Sequence, residues 1–233
     1  MDHRGKILSF YDLLPFRDHP LWQAVLSHEL TLNQVLKAEV QHYLRTKAGQ
    51  ALRQESALNA PPSTPGIFEA ALSNYLEEVA PNQLYPSHLD LIKRLIVSGG
   101  IQEIELDNAT LTPGNAAAIA LYRDIANRGP ACHLIGAGAV EFYYSKLAPD
   151  IYEAYTSHYG MTPSRAETYQ LHGPMDAEHA GRALSVLDEA IELHGWDVIE
   201  ISARDAFVAT SLHYDGMLQA ALGKIVYWDG GVQ

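Results

Sequence analysis

The stretch YQLHGPMDAEHAGRAL, residues 169–184, sets three potential metal ligands, His172, Asp176 and His179, at i, i+4 and i+7. In a helix, successive residues turn by about 100°, so these side chains leave one face within two turns. Imidazole, carboxylate and imidazole on one face make half a metal site. Two neutral imidazoles with an anionic oxygen suit divalent iron, manganese or zinc, and no thiolate is present to favour a softer metal. The plain alternative is a solvated helix face, but the spacing of all three ligand types weighs for metal. Gly173-Pro174 interrupts the set. Proline removes a backbone donor and disfavours helical geometry at the residue before it, so a kink or a partly unwound turn is expected there.

Outward from this stretch the helical period continues in both directions. Thr162-Pro163 reads as the opening of the same helix, and a further helix is expected over roughly residues 196–222. Residues 132–147, with GAGAVEFYY inside them, read as a tightly packed central helix. Thr112-Pro113 opens an Ala-rich helix that Arg128-Gly129-Pro130 closes. Ser87 stands as an N-cap before His88, Leu91, Ile92 and Leu95, with Gly99-Gly100 as the stop. The run APNQLYP before it is expected to be a loop, and a helix over 67–79 is expected to turn Phe68, Leu72, Tyr75 and Leu76 inward. Thr31-Leu32-Asn33-Gln34 is a capping-box pattern for a long helix reaching about Leu58. His19-Pro20 opens a shorter helix after an irregular start. Only ILSFY, IQEIEL and IVYW alternate in the manner of strands, so the expected fold is all-α: one domain over 1–233, a bundle of about seven helices.

Composition narrows the function. A formal charge of −12 repels phosphate backbones and anionic lipid, which argues against nucleic acid and membrane surfaces as partners. Cys132 is the sole cysteine, too few for a disulfide framework or a thiolate zinc site. No apolar run approaches the roughly 20 residues that span a bilayer, and MDHRGKILSFYDLLPF lacks a signal-peptide core, so a cytoplasmic location is expected.

The missing half of the metal site has several candidates. Glu141 lies in an otherwise apolar segment, where a buried lone carboxylate costs several kcal/mol unless a cation meets it. Glu78 and His88 flank one connection, each an ordinary surface residue or cap if taken alone. Glu39 and His42 form an E-x-x-H pair like the inward pairs of carboxylate-bridged helical bundles, with an exposed pair as the alternative.

The order of these residues resembles that of the heme-oxygenase-like di-iron oxidases. The likeness runs from His19-Pro20-Leu21-Trp22 to His179, and its specific part is Glu141 followed by the H-x3-D-x2-H triad. It implies a heme-oxygenase-like fold and metal ligands Glu39, Glu78, His88, Glu141, His172, Asp176 and His179. In EVQHY, Gln41 or His42 competes with Glu39, and Glu77 competes with Glu78. The resemblance further implies two Fe(II) ions, O2 as co-substrate, an external reductant and a small amino-acid substrate. In size and layout the chain is most like members that turn a brominated tryptophan into an indole carbonitrile, and Phe142, Tyr143 and Tyr169 are the aromatics expected to pack an indole. A homodimer is the assembly considered. The rivals are a cofactor-free thiaminase-like or pyrroloquinoline-quinone-synthase-like enzyme of the same fold and a non-catalytic helical binding module; thiaminase-type chemistry wants a nucleophilic cysteine with a nearby base, and Cys132, in an apolar helix start, reads as buried.

Overall fold

The computed structural model describes residues 2–79 and 86–230. Among them are eleven α-helices and no strand: α1 (His3–Leu8), α2 (Pro20–Leu26), α3 (Leu32–Asn59), α4 (Pro65–Val79), α5 (His88–Val97), α6 (Glu103–Asp107), α7 (Pro113–Arg128), α8 (Pro130–Ser157), α9 (Glu167–Ser185), α10 (Leu187–His194) and α11 (Trp196–Leu222). The all-α expectation holds, but the count of seven does not. The additions are short: α1 lies in the supposedly irregular start, α6 contains the IEL of IQEIEL, and α10 is cut from α9 at Val186. Most of the loop expected at APNQLYP lies outside the described residues.

Local signals place most helix starts. Thr31 and Gln34 form the reciprocal capping box of α3, satisfying two backbone donors that the first turn leaves free. The Ser87 hydroxyl accepts from the Asp90 amide and so fixes where α5, and with it His88, begins. Two boundaries differ from expectation. Thr162 caps a turn at Arg165 rather than the helix itself, which starts at Glu167, and α8 runs past Leu147 to Ser157.

The face of α4 also differs. Ile67, Ala70, Ala71, Asn74 and Glu78 are its buried positions, whereas Phe68 and Leu76 are exposed. The small alanines let α4 approach its neighbours closely, and that choice of face turns Glu78 inward.

The helices pack α8 along α9, α7 along α11, and α3 against α11 and α4. Gly138 makes the α8–α9 approach possible, since a Cβ there would collide with the Ala183 side chain. One turn beyond it on α8 is Glu141, which this contact brings to the ligand face of α9. α9 stays helical through Gly173 and Pro174, so no turn is unwound there. Gly173 lies against Pro149 of α8, so helix-on-helix packing holds a segment that local preference alone would loosen. No helix among the described residues is long and apolar enough to cross a membrane.

Candidate metal centre

Four helices contribute to one buried cluster. Glu78 comes from the last turn of α4, His88 from the first residue of α5, Glu141 from α8, and His172, Asp176 and His179 from α9. Within it, Glu78, His88 and His172 present ligand atoms mutually within 4.8 Å, and so do Glu78, Asp176 and His179. Glu78 belongs to both groups, so its carboxylate has the position of a bridge. Its Oε2 meets His88 Nδ1 at 2.8 Å, while Oε1 is 3.6 Å from His172 Nε2 and 3.5 Å from His179 Nδ1. Glu141 Oε2 is 3.9 Å from His179 Nδ1.

The hydrogen-bond account of this cluster does not close. Glu141 Oε2, His172 Nε2 and His179 Nδ1 are all buried, and none has a hydrogen-bond partner. Buried polar atoms almost always have one, because leaving them unmet costs about 1–3 kcal/mol each. Three such atoms around one carboxylate are what a site for a cation requires.

The far side of each imidazole is tied down. His172 Nδ1 donates to the Thr168 carbonyl at 2.6 Å, so Nε2 is the nitrogen that faces the cluster. His179 Nε2 lies 2.9 Å from Glu77 Oε2, and Arg182 grips Glu77 with a two-pronged contact. The carboxylate orients the ring so that Nδ1 faces the cluster, the usual support of a metal-binding histidine. Glu77 thus stands behind the site while Glu78 faces it.

Charges are arranged accordingly. Arg53 of α3 donates to Glu141 Oε1 at 3.2 Å and lies 3.9 Å from Glu78 Oε2. Burial alone would raise the Glu78 carboxyl, but Arg53, His88 and His172 outweigh it and hold the group well below the usual range. Asp176 goes the other way: burial raises it, His172 partly offsets this, and the nearby Glu141 and Glu78 charges raise it further. The His88 and His172 rings lie 3.7 Å apart between centroids, so they are not both cationic. Burial and the His172 charge push His88 down to about 3. For His172, burial is overcome by Glu78 and Asp176, and the group rises to about 9.

Of the seven sequence-predicted ligands, Glu39 alone lies in a different setting. Its Oε1 accepts from Tyr155 at 2.5 Å and Tyr169 at 2.6 Å, and Oε2 contacts His42 Nδ1 at 3.0 Å. His42 stands between this knot and the cluster, its ring 5.5 Å from that of His88. Gln41 points elsewhere, bonded to the backbone at Thr110 and Thr112. Sequence reasoning missed Arg53, Arg182 and Tyr155; none carries a local signal, because each acts across helices. Two aromatic assignments also change. Tyr169 is committed to Glu39, and Tyr143 stacks on Tyr11 and donates to the Leu8 carbonyl, while Tyr144 lines the cavity beside the cluster.

Comparison with known proteins agrees with this chemistry. Residues 41–200 match the profile of a family described as iron-containing redox enzymes. The chain belongs to that family. It spans the whole region from His42 to His179, so the donor set just described falls inside the match. The fold is heme-oxygenase-like. A domain of unknown function with that fold from Shewanella denitrificans superposes with a TM-score of 0.73 at 17% identity, covering 93% of this chain and 89% of that one. A CADD-like protein of unknown function from Nostoc punctiforme gives 0.69 at 14%, over 94% and 92%. A TenA homologue from Pseudomonas syringae gives 0.70 at 11%, over 93% and 90%. No curated protein matches the sequence.

Proposed function

We propose that this iron-containing redox enzyme is an O2-activating non-heme di-iron oxidase acting on a small amino-acid substrate, with nitrile formation from a brominated tryptophan as the first reaction to test. The observation that carries the reading is the set of unpartnered atoms, Glu141 Oε2, His172 Nε2 and His179 Nδ1, gathered around the shared carboxylate of Glu78. Three carboxylates, three imidazoles and no thiolate are a donor set for divalent iron or manganese. Two bound ferrous ions would supply the electrons and Lewis acidity that O2 activation needs.

In this reading Glu78, His88, Glu141, His172, Asp176 and His179 would hold the two ions. Glu77 and the Thr168 carbonyl keep the two α9 imidazoles in the tautomer that binds. Arg53 helps hold the Glu78 carboxyl ionised before metal arrives. The cavity that opens beside the cluster is walled by Trp22, Tyr122, Tyr144, Tyr214, Ile119, Val140 and Met217, a surface that takes an aromatic or aliphatic body and excludes water. Turnover draws on an external reductant.

The rival reading is a cofactor-free, thiaminase-like enzyme of the same fold. Cys132 does not serve such a reading well: it is fully buried, and burial raises its thiol.

The test is anaerobic Fe(II) titration followed by rapid mixing with O2, with and without L-tryptophan or a brominated tryptophan. Two irons per chain and a transient visible absorption whose lifetime responds to the amino acid are expected. A chain that takes up no iron would overturn the proposal.

A further inference from the structure

One wall of the cavity is a stripe of α3. His42, Arg45, Thr46, Gly49 and Arg53 line it at helical spacing, so the residues behind His42 face the same space as the metal cluster.

Two arginines stand on this stripe, and they differ. Arg53 is committed to Glu141 and Glu78. Arg45 has no hydrogen bond or ion pair with any described residue; its guanidinium lies over the Tyr122 ring, 4.9 Å from the centroid. Acidic residues outnumber basic ones in this chain by 28 to 16, so a half-buried arginine without a carboxylate partner is conspicuous. Next to it, the buried hydroxyl of Thr46 also lacks a partner. A guanidinium fork on an aromatic face, with a free hydroxyl alongside, is a receptor for a planar anion.

Gly49 is the second observation. Glycine in the interior of a helix weakens it relative to alanine. Here no neighbour demands glycine, since an added Cβ would meet no atom within 4 Å and the backbone is helical. The residue leaves open space at the wall one turn beyond Arg45, in a cavity that the apolar side chains of Val140 and Met217 also line.

From this juxtaposition we infer that Arg45 binds the carboxylate of the substrate and that the space over Gly49 receives its apolar body. The inference rests on the reading of this cavity as the substrate site, and it specifies the substrate as an apolar carboxylate. Arg53, already neutralised, is left to the metal cluster.

The test is calorimetric titration of the anaerobic, iron-loaded full chain with L-tryptophan, 3-indolepropionate and decanoate, each against its amide. At least one acid should bind, with its amide weaker by about 10–100-fold, as expected for losing a charge-assisted contact. Arg45→Gln should weaken that acid by a similar factor and leave the amide unchanged, and Arg45→Lys should recover part of the loss. Gly49→Leu should weaken acid and amide alike. Helicity and iron content, measured on the same samples, should stay at wild-type values in all three variants. Binding of none of the acids, equal binding of acid and amide, or an unchanged acid affinity in Arg45→Gln would each overturn the inference. Iron uptake without discrimination of acid from amide defeats this inference alone. Acid binding through Arg45 in a chain that takes up no iron defeats only the di-iron reading.

Discussion

Two buried polar clusters lie on either side of His42, and they differ in how their hydrogen bonds are completed. Around Glu39, both carboxylate oxygens are taken, by two tyrosine hydroxyls and an imidazole. Around Glu78, three donor atoms of its neighbours face inward with nothing to meet them. Burial is similar, and each cluster sets a buried glutamate against histidine. The difference teaches that depth and charge do not mark a metal site; an open account of lone pairs does. The first cluster is completed by the protein, while the second leaves buried donor atoms that a cation could meet.

The sharpest way to break this contrast is to remove the shared carboxylate. Glu78→Ala should abolish stoichiometric iron uptake, read by anaerobic titration, while circular dichroism retains the helical signal. Uptake of both ions would dissolve the distinction between the clusters. Glu39→Ala should do the opposite. It strands three buried donors and should destabilise the fold by about 3–5 kcal/mol in urea unfolding, with iron stoichiometry preserved below the transition. Loss of iron from a folded Glu39→Ala protein would move Glu39 into the centre.

Glu77→Gln sharpens the picture from behind. Losing the charge that orients His179 should weaken iron binding by about 10–100-fold without changing the number of ions. The smallest effect is that of pH. His172, raised to about 9 by Glu78 and Asp176 against the opposing effect of burial, is protonated in the metal-free protein at neutral pH. Iron must displace that proton, so apparent affinity should rise with pH, by up to about tenfold per unit as pH climbs from 6 to 8. Calorimetry in buffers of different ionisation enthalpy should record the proton released. An affinity that falls or stays flat over this range would mean that His172 binds no metal.

Much of the centre is legible in residues 169–184, because three ligands on one helix share a face by geometry alone. Glu141 is legible for a different reason, as a charge in an apolar segment with no local partner. The choice between Glu77 and Glu78 is not. Adjacent helix positions differ by about 100°, and which one faces inward depends on how α4 lies against its neighbours. The same holds for Phe68 and Leu76, apolar residues that end up exposed because the alanine face of α4 packs closer. Pro174 misleads in the other direction, since contact with α8 keeps a segment helical that its own sequence would loosen.

By itself the sequence determined the long helices, most of their caps and the face that His172, Asp176 and His179 share on α9, all properties set within a few residues by backbone geometry and side-chain period. Only the tertiary structure decided that Glu78 and not Glu77 faces the cluster, that Glu39 is held by Tyr155 and Tyr169 behind His42, and that Arg53 is paired with carboxylates while Arg45 lies over the Tyr122 ring. Those outcomes depend on distances between residues far apart in the chain, and such distances are fixed only when the helices have packed.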